Sequence, residues 1–145
     1  MNDTEMIECR EPALQMQRLI AIMKRLRAPH GCPWDAEQTH HSLISNMIEE
    51  AYEVAEAIAK GDMAGLREEL GDLLLQVVFH SQMASEEKLF SFEDVAAAIN
   101  DKMIRRHPHV FGEAEIKDAE AQTANWETIK EAERKGKAKE RVLDD

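Results

Sequence analysis

The sequence predicts an all-α protein, a helical bundle arranged around one central antiparallel hairpin. Three observations predict it. Apolar residues recur at helical spacing in five segments between Pro12 and Arg134. The second and third segments meet at Lys60-Gly61-Asp62, a turn short enough to make them antiparallel neighbours. The third segment carries Leu75 and Phe79 on the side opposite its main stripe, and a helix that is apolar all round is a buried one.

Taken in order, residues 1–11 are polar and expected to be loose. Pro12 suits a first helical turn, and Leu14, Leu19, Ile22, Met23 and Leu26 carry that helix to about Arg27. Pro29, Gly31 and Pro33 then end it in a rigid loop. Trp34 in this loop is either a lid over the core or a surface on which a base stacks. Thr39 or Ser42 can cap the second helix, which runs to about Lys60, and the third spans roughly Met63 to Glu87. With seven aromatic residues the chain has little to cover both sides of that helix, so a second subunit is expected, as a homodimer or higher oligomer with Leu75 and Phe79 in its interface.

Ser91 caps a fourth helix, with Glu93 and Asp94 in its first turn and Val95, Ile99, Met103 and Ile104 on its apolar face. Lys102, Arg105 and Arg106 at its end either compensate the helix dipole or form a phosphate clamp. His107-Pro-His109 reads as a structural turn and residues 112–120 as a charged linker. A fifth helix, Gln122 to about Arg134, places Trp126 and Lys130 on one face, for base stacking and phosphate contact or for simple packing. The low-complexity tail, Lys135–Lys139 and on to residue 145, is expected to be mobile.

Composition narrows the function. A chain of 145 residues with 43% apolar content suits a single domain, residues 1–145. No apolar run of about 18 residues and no signal-peptide pattern occurs, so no membrane partner and a cytoplasmic location are expected. Cys9 and Cys32 are too few for a disulfide framework and read as reduced thiols. A net charge of −11 opposes binding to nucleic acid.

The hairpin carries the chemistry. Glu50 with Glu53, and Glu69 with Asp72, are carboxylate pairs spaced i, i+3, each on one helix face. Leu43, Met47, Ala51, Val54 and Ile58 form the expected stripe of one helix; Leu66, Leu70, Leu73, Val77 and Ala84 form that of the other. Each acid pair lies roughly 60° and 120° from the centre of its stripe. Lys60 and Arg67 are expected to project elsewhere, and Glu49 outward. Unpaired carboxylates beside an apolar seam need neutralising, and oxygen ligands without a protein counter-charge suit Mg²⁺ or Mn²⁺. Gln76 and His80 lie on the acid side, His80 as a ligand, a proton-transfer group or a hydrogen-bonded core residue.

Glu49-Glu50-x-x-Glu53 followed by Glu69-x-x-Asp72 resembles the acid signature of the all-α nucleoside triphosphate pyrophosphohydrolases. The MazG branch is the closer resemblance. It extends over Gly31-Cys-Pro-Trp-Asp-Ala-Glu-Gln-Thr-His40, Glu68-Glu-Leu-Gly-Asp-Leu-Leu-Leu-Gln-Val-Val-Phe-His80, Arg105-Arg-His-Pro-His-Val-Phe111 and Asn125-Trp-Glu-Thr-Ile-Lys130. The resemblance implies hydrolysis of nucleoside triphosphates to monophosphate and pyrophosphate, with Mg²⁺ (or Mn²⁺) on Glu50, Glu53, Glu69 and Asp72 as the catalytic acids. It also implies Lys102, Arg105 and Arg106 for the triphosphate, and Trp34, Trp126 and Lys130 for base or phosphate. A house-cleaning pyrophosphatase narrower in its deoxynucleotide, and a catalytically weak regulatory domain, stand as alternatives. Well-known members of that branch carry two such domains in tandem; one is expected here, ending in a segment that resembles the start of the interdomain linker.

Overall fold

The structure, a computed structural model, describes the backbone of residues 1–144 and the side chains of residues 1–137. Its helices are α1 (Asp3–Glu8), α2 (Gln15–Arg27), α3 (Pro33–Glu37), α4 (Ile44–Ala59), α5 (Met63–Glu86), α6 (Phe92–Arg105), α7 (Pro108–Phe111) and α8 (Ala119–Asp144), with 3₁₀ turns at Pro12–Leu14 and His41–Leu43. The described residues contain no strand, which bears out the all-α reading. Within what reads as one domain the chain forms two compact units, residues 1–95 and 96–145.

The first unit begins with more order than its polarity suggests. Asn2 and Glu5 make a reciprocal capping box, with Glu5 N donating to Asn2 Oδ1 at 2.8 Å and Asn2 N donating to Glu5 Oε1 at 3.2 Å. Met6 is buried, Arg18 Nε donates to the Met6 carbonyl at 2.7 Å, and Arg25 pairs with Asp3 at 3.1 Å. Residues 1–11 therefore hold a docked helix, where a loose segment was expected.

The α2–α4 connector also differs from the expected loop. A Cβ on Gly31 would run into the carbonyl oxygens of Arg25 and Leu26, so the chain turns here only through glycine. Pro33 then opens the short α3. Trp34 is 54% exposed on it, which removes the core-lid reading. Arg27 ties the connector down, donating to the Asp35 carbonyl at 2.6 Å and the Gln38 carbonyl at 3.2 Å while pairing with Glu86 at 2.8 Å. Thr39 and Ser42 bond reciprocally, but they brace the 3₁₀ turn and do not cap α4 itself.

The hairpin forms as expected: Gly61 takes a φ of 68° in the turn, and the Asp62 carboxylate caps α5 by accepting from Gly65 N at 2.9 Å. Its seam is rotated from the expected stripe. The buried and half-buried positions are Leu43, Asn46, Glu50, Glu53, Val54 and Ala57 facing Leu66, Glu69, Leu73, Gln76 and His80. Met47, Ile58, Leu70 and Val77 are instead exposed in the single chain.

Length decides the core. At 24 residues α5 outruns the 16 of α4, and α2 covers its projecting C-terminal half. Met23, Leu43, Val78, Phe79 and Met83 form the core, with Leu19, Ile20, Leu74, Leu75 and Phe92 packed against it. Phe79, 2% exposed, and Leu75 are thus covered within one chain, and the expectation that they form a subunit interface is corrected.

In the second unit Asp118 accepts from Ala121 N at 2.8 Å to start α8, which is longer than the expected Gln122–Arg134. Its backbone stays helical through Lys135–Lys139, the segment expected to be mobile, and Lys135 pairs with Glu131 at 3.4 Å. At the start of α6, Ser91 and Asp94 bond reciprocally as the sequence indicates.

Phe79→Ala removes the largest side chain of this core and should cost about 3–5 kcal/mol, read as a lowered urea midpoint with an unchanged denaturant slope.

Candidate metal centre

Three carboxylates from the two hairpin helices converge: Glu50 of α4 with Glu69 and Asp72 of α5, each offering an oxygen within 4.8 Å of the others. None of the three makes an ion pair among the described residues. The seam residues explain the convergence. Glu50 and Glu69 occupy half-buried positions facing the partner helix, and Asp72 stands one turn on at the seam's exposed edge.

Glu53 lies outside this trio. It lines a cleft of about 200 Å³ toward the hairpin turn, together with Glu56, Lys60, Asp62 and Glu69. Lys60 is here contrary to expectation: its ammonium pairs with Glu56 at 2.7 Å while lining the same cleft as Glu53 and Glu69. The expectation rested on stripe positions; the rotation of the seam toward the acids brings Lys60 to their side. Glu49 is exposed, as its outward angle indicates.

The electrostatics follow from the packing. Loss of solvent raises the Glu50 carboxyl above its ordinary value, and Asp72, Glu49 and Glu53 push it the same way. Glu69 is raised by loss of solvent, then by Glu53, Asp72, Glu50 and Glu68. Neither carboxylate pairs with a cation among the described residues, and both are pressed against like charge. Hard oxygen donors at this spacing fit a divalent cation of the Mg²⁺ or Mn²⁺ kind, and among the described residues no nitrogen or sulfur donor joins them.

His80 does not join the trio. Its Nδ1 lies 2.7 Å from Nδ1 of His40, with the ring centroids 5.0 Å apart. Sequence reasoning missed this partner because His40 sits in the connector, forty residues away.

In the second unit, Glu133 receives both arginines of the expected clamp: Arg105 Nε donates to Oε1 and Arg106 to Oε2, each at 2.8 Å. These two bonds, Arg106 first, hold the Glu133 carboxyl down to about 2. Lys102 makes no ion pair among the described residues. Lys130 Nζ stands 4.5 Å from the centre of the Trp126 ring, so the expected pair shares a face as a cation–π contact. His107 bonds the Met103 carbonyl at 2.6 Å, consistent with a structural turn at His107-Pro-His109. Glu133 was not singled out; its i, i+3 relation to Lys130 on the Trp126 face was the available signal.

The sequence profile of the MazG nucleotide pyrophosphohydrolase domain matches residues 38–111, which contain all four acids and Lys102, Arg105 and Arg106, but not Trp34, Trp126 or Lys130. The chain is 53% identical over 132 residues to the nucleoside triphosphate pyrophosphohydrolase of Escherichia coli strain K12, covering 90% of this chain and 50% of that protein. It is 48% identical over 130 residues to the nucleoside triphosphate pyrophosphohydrolase/pyrophosphatase MazG of Thermotoga maritima, covering 90% and 49%. The chain thus spans about half the length of the curated relatives it matches. The crystal structure of a mazG-related protein from Thermotoga maritima superposes with a TM-score of 0.64 at 30% identity, covering 79% of this chain and 98% of that one.

A raised carboxyl means that the folded protein binds a proton more tightly than the unfolded chain, so its stability falls as pH rises above the ordinary value of 4.5. Removing that charge should therefore stabilise the metal-free protein. Glu69→Gln is expected to raise the urea midpoint at pH 7.5, to lose that gain at pH 4, and to abolish the added stability that Mg²⁺ gives the unaltered protein. Glu133 has the opposite sign: its contribution is present above 4.5 and is lost as pH falls toward about 2. Glu133→Gln should lower the midpoint at pH 7 and cost progressively less below pH 4.

Proposed function

Because the chain belongs to the MazG nucleotide pyrophosphohydrolase family, we propose that it hydrolyses nucleoside triphosphates to the monophosphate and pyrophosphate, with Mg²⁺ as cofactor. The observation that carries this reading is the trio of unpaired carboxylates, donated by two antiparallel helices and held within 4.8 Å. Relatives at about half identity bear names for the same activity.

Glu50, Glu69 and Asp72 would hold the cation, with Glu53 on the adjacent turn of α4 as a fourth oxygen donor. When bound, the ion supplies charge neutralisation for the triphosphate oxygens and acidifies a water. Glu53, in the cleft it shares with Glu69, is the carboxylate available to orient that water and take its proton on Oε. The half-buried walls of the seam keep these carboxylates preorganised, so they need no reorganisation as charge develops. No covalent intermediate is needed, since positioning and charge neutralisation suffice for phosphoryl chemistry.

On the substrate side, Lys102, Arg105 and Arg106 are the phosphate ligands of this reading. Trp126 and Lys130 contact base or phosphate, and the exposed Trp34 offers a stacking face. In a chain of net charge −11 such a local basic patch is what an anionic substrate requires. Residues 1–145 then serve as one catalytic domain, cytoplasmic and without nucleic acid or membrane as partner. No helix among the described residues is long and apolar enough to cross a membrane.

Assembly belongs to the same proposal, on a different face from the one first expected. Ile44, Met47, Ile48 and Ile58 of α4 and Leu70 and Val77 of α5 are exposed. All fall to the same rotational side of their seams, and in an antiparallel pair that places them on one broad face, away from Glu53 and Asp72. A second copy covering this face gives a homodimer whose shared core stiffens the helices that bear the acids.

With a panel of NTPs and dNTPs and Mg²⁺, pyrophosphate should appear as the first inorganic product; orthophosphate with a nucleoside diphosphate would refute the reading. Turnover confined to one deoxynucleotide would support the narrower house-cleaning enzyme, and no turnover with intact Mg²⁺ binding would support a regulatory domain. Glu53→Gln and Asp72→Asn should each lower kcat by about 10²-fold or more with an unchanged circular dichroism spectrum; near-normal activity in both would remove the site assignment. Light scattering at micromolar concentration should give twice the 16.5 kDa chain mass, and Met47→Glu should return it to the monomer value.

A further inference from the structure

The bond between His40 and His80 favours one arrangement of protons. Their Nδ1 atoms are 2.7 Å apart, and the ring planes differ by 13° with centroids 5.0 Å apart. A neutral imidazole has one N–H and one lone pair, so one ring must donate and the other accept. The second nitrogen of His80, Nε2, is buried without a partner among the described residues. A lone pair is the cheaper group to leave there than an N–H, so the bond runs from His80 Nδ1–H to His40 Nδ1, with His40 Nε2–H toward solvent. Charging His80 would place a donor at the orphaned Nε2, and charging both rings would set two N–H groups head to head.

The pair joins two elements that matter to the acids. His40 precedes the 3₁₀ turn that leads into α4, ten residues before Glu50. His80 lies on α5, on the same seam as Glu69 and Gln76. Leu43, which follows His40, is buried in the core, and beside the Arg27 bonds that tie down the connector the His40–His80 bond links the segment entering α4 directly to α5.

We propose that His40 and His80 are positioning residues for the acid cluster: by sharing one proton between their Nδ1 atoms they clamp the head of α4 to α5 and fix the approach of Glu50 to Glu69 and Asp72, and the clamp opens when both rings are charged. The consequence for metal binding rests on the metal-centre reading above; the clamp itself does not. Other charged groups on the surrounding elements leave the pair to itself. Arg27 of α2 is engaged by Glu86 of α5 and by two connector carbonyls. Asp35 and Glu37 of α3 and His41 of the connector are the remaining titratable neighbours in sequence, and α4 presents neutral Asn46 toward the seam. Burial first, and then the His40 charge, make His80 resist protonation, so the clamp persists at neutral pH and is lost as pH falls.

Asparagine at position 40 supplies an oxygen that accepts from His80 Nδ1–H whatever the protonation of His80, whereas phenylalanine keeps the ring and deletes the bond. Calorimetric titration with Mn²⁺ at pH 7.5 and 5.5 should show His40→Phe binding about two- to tenfold more weakly than the unaltered protein at pH 7.5. His40→Asn should match the unaltered protein at pH 7.5 and fall less steeply toward pH 5.5, the acid titration of the carboxylates being common to both. Equal affinity of all three at pH 7.5, or parallel losses for the unaltered protein and His40→Asn, would overturn the proposal. If His40→Phe does not fold, the comparison with His40→Asn decides alone. If none binds Mn²⁺, the metal reading has failed and the clamp is judged in the metal-free protein. There the backbone amide resonances of Ser45 to Met47 must follow the His80 imidazole titration in the unaltered protein and not in His40→Asn; amides that ignore it in both would end the proposal.

Discussion

Carboxylates placed in a helix–helix seam constrain almost everything else in the first unit. Glu50 and Glu69 give up part of their solvent to the facing helix; Asp72, Glu49 and Glu53 then push Glu50 toward protonation, and Glu53, Asp72, Glu50 and Glu68 push Glu69. A seam with such residues cannot close as an apolar interface closes, and α4 and α5 alone would be a poor source of stability. The fold answers with a hairpin that is pinned at its two ends. At the turn, Gly61 and the Asp62 cap fix the register; at the far end, α2 packs Met23 and its neighbours around Leu43, Val78, Phe79 and Met83. The acids sit between a tight turn and a packed core, held in place while remaining electrostatically unsatisfied.

The two units handle buried charge in opposite ways. In the hairpin, Glu50, Glu69 and Asp72 gather without an ion pair of their own among the described residues, the arrangement that a bound divalent ion relieves. In the second unit, one carboxylate, Glu133, takes two guanidinium groups and is held down to about 2. Arg106, largely buried, keeps its counter-ion there, so its positive charge is available to an anion only as part of a trio with Arg105 and Glu133. That is a different device from the bare basic patch the sequence suggests, because the guanidinium orientation is set by a protein carboxylate before any phosphate arrives.

Covering α5 also separates two ideas that look like one in the sequence. A helix apolar on all sides needs cover on all sides, and its C-terminal half finds that cover in the same chain through α2 and the start of α6. On the hairpin, the apolar surface left over comprises Ile44, Met47, Ile48 and Ile58 of α4 with Leu70 and Val77 of α5. Assembly on that surface would leave Glu53 and Asp72 on the opposite edge open to solvent, so the need for cover and the need for access do not compete.

Much of this was legible from residue order alone. The helices that carry the apolar periodicities, Gly61 in the turn and Ser91 with Asp94 are local features, and each formed as its neighbours in sequence dictate; of the two acid pairs only Glu50, Glu69 and Asp72 converge. The Asn2-x-x-Glu5 capping box was equally local and went unread, because the polarity of residues 1–11 masked it. What the sequence could not determine is which side of each helix faces inward when several sides are apolar. Met47 and Glu50 are 60° apart, and either could centre the seam; only the combined packing of Leu43 into the core and α2 over Phe79 selected the rotation that buries the acids. The pairing of His40 with His80 and of Glu133 with Arg105 and Arg106 was out of reach for the same reason. Periodicity reports the neighbours a helix gives its own residues, whereas contacts across forty or twenty-eight positions exist only once the chain has folded and the helices have found their relative rotation.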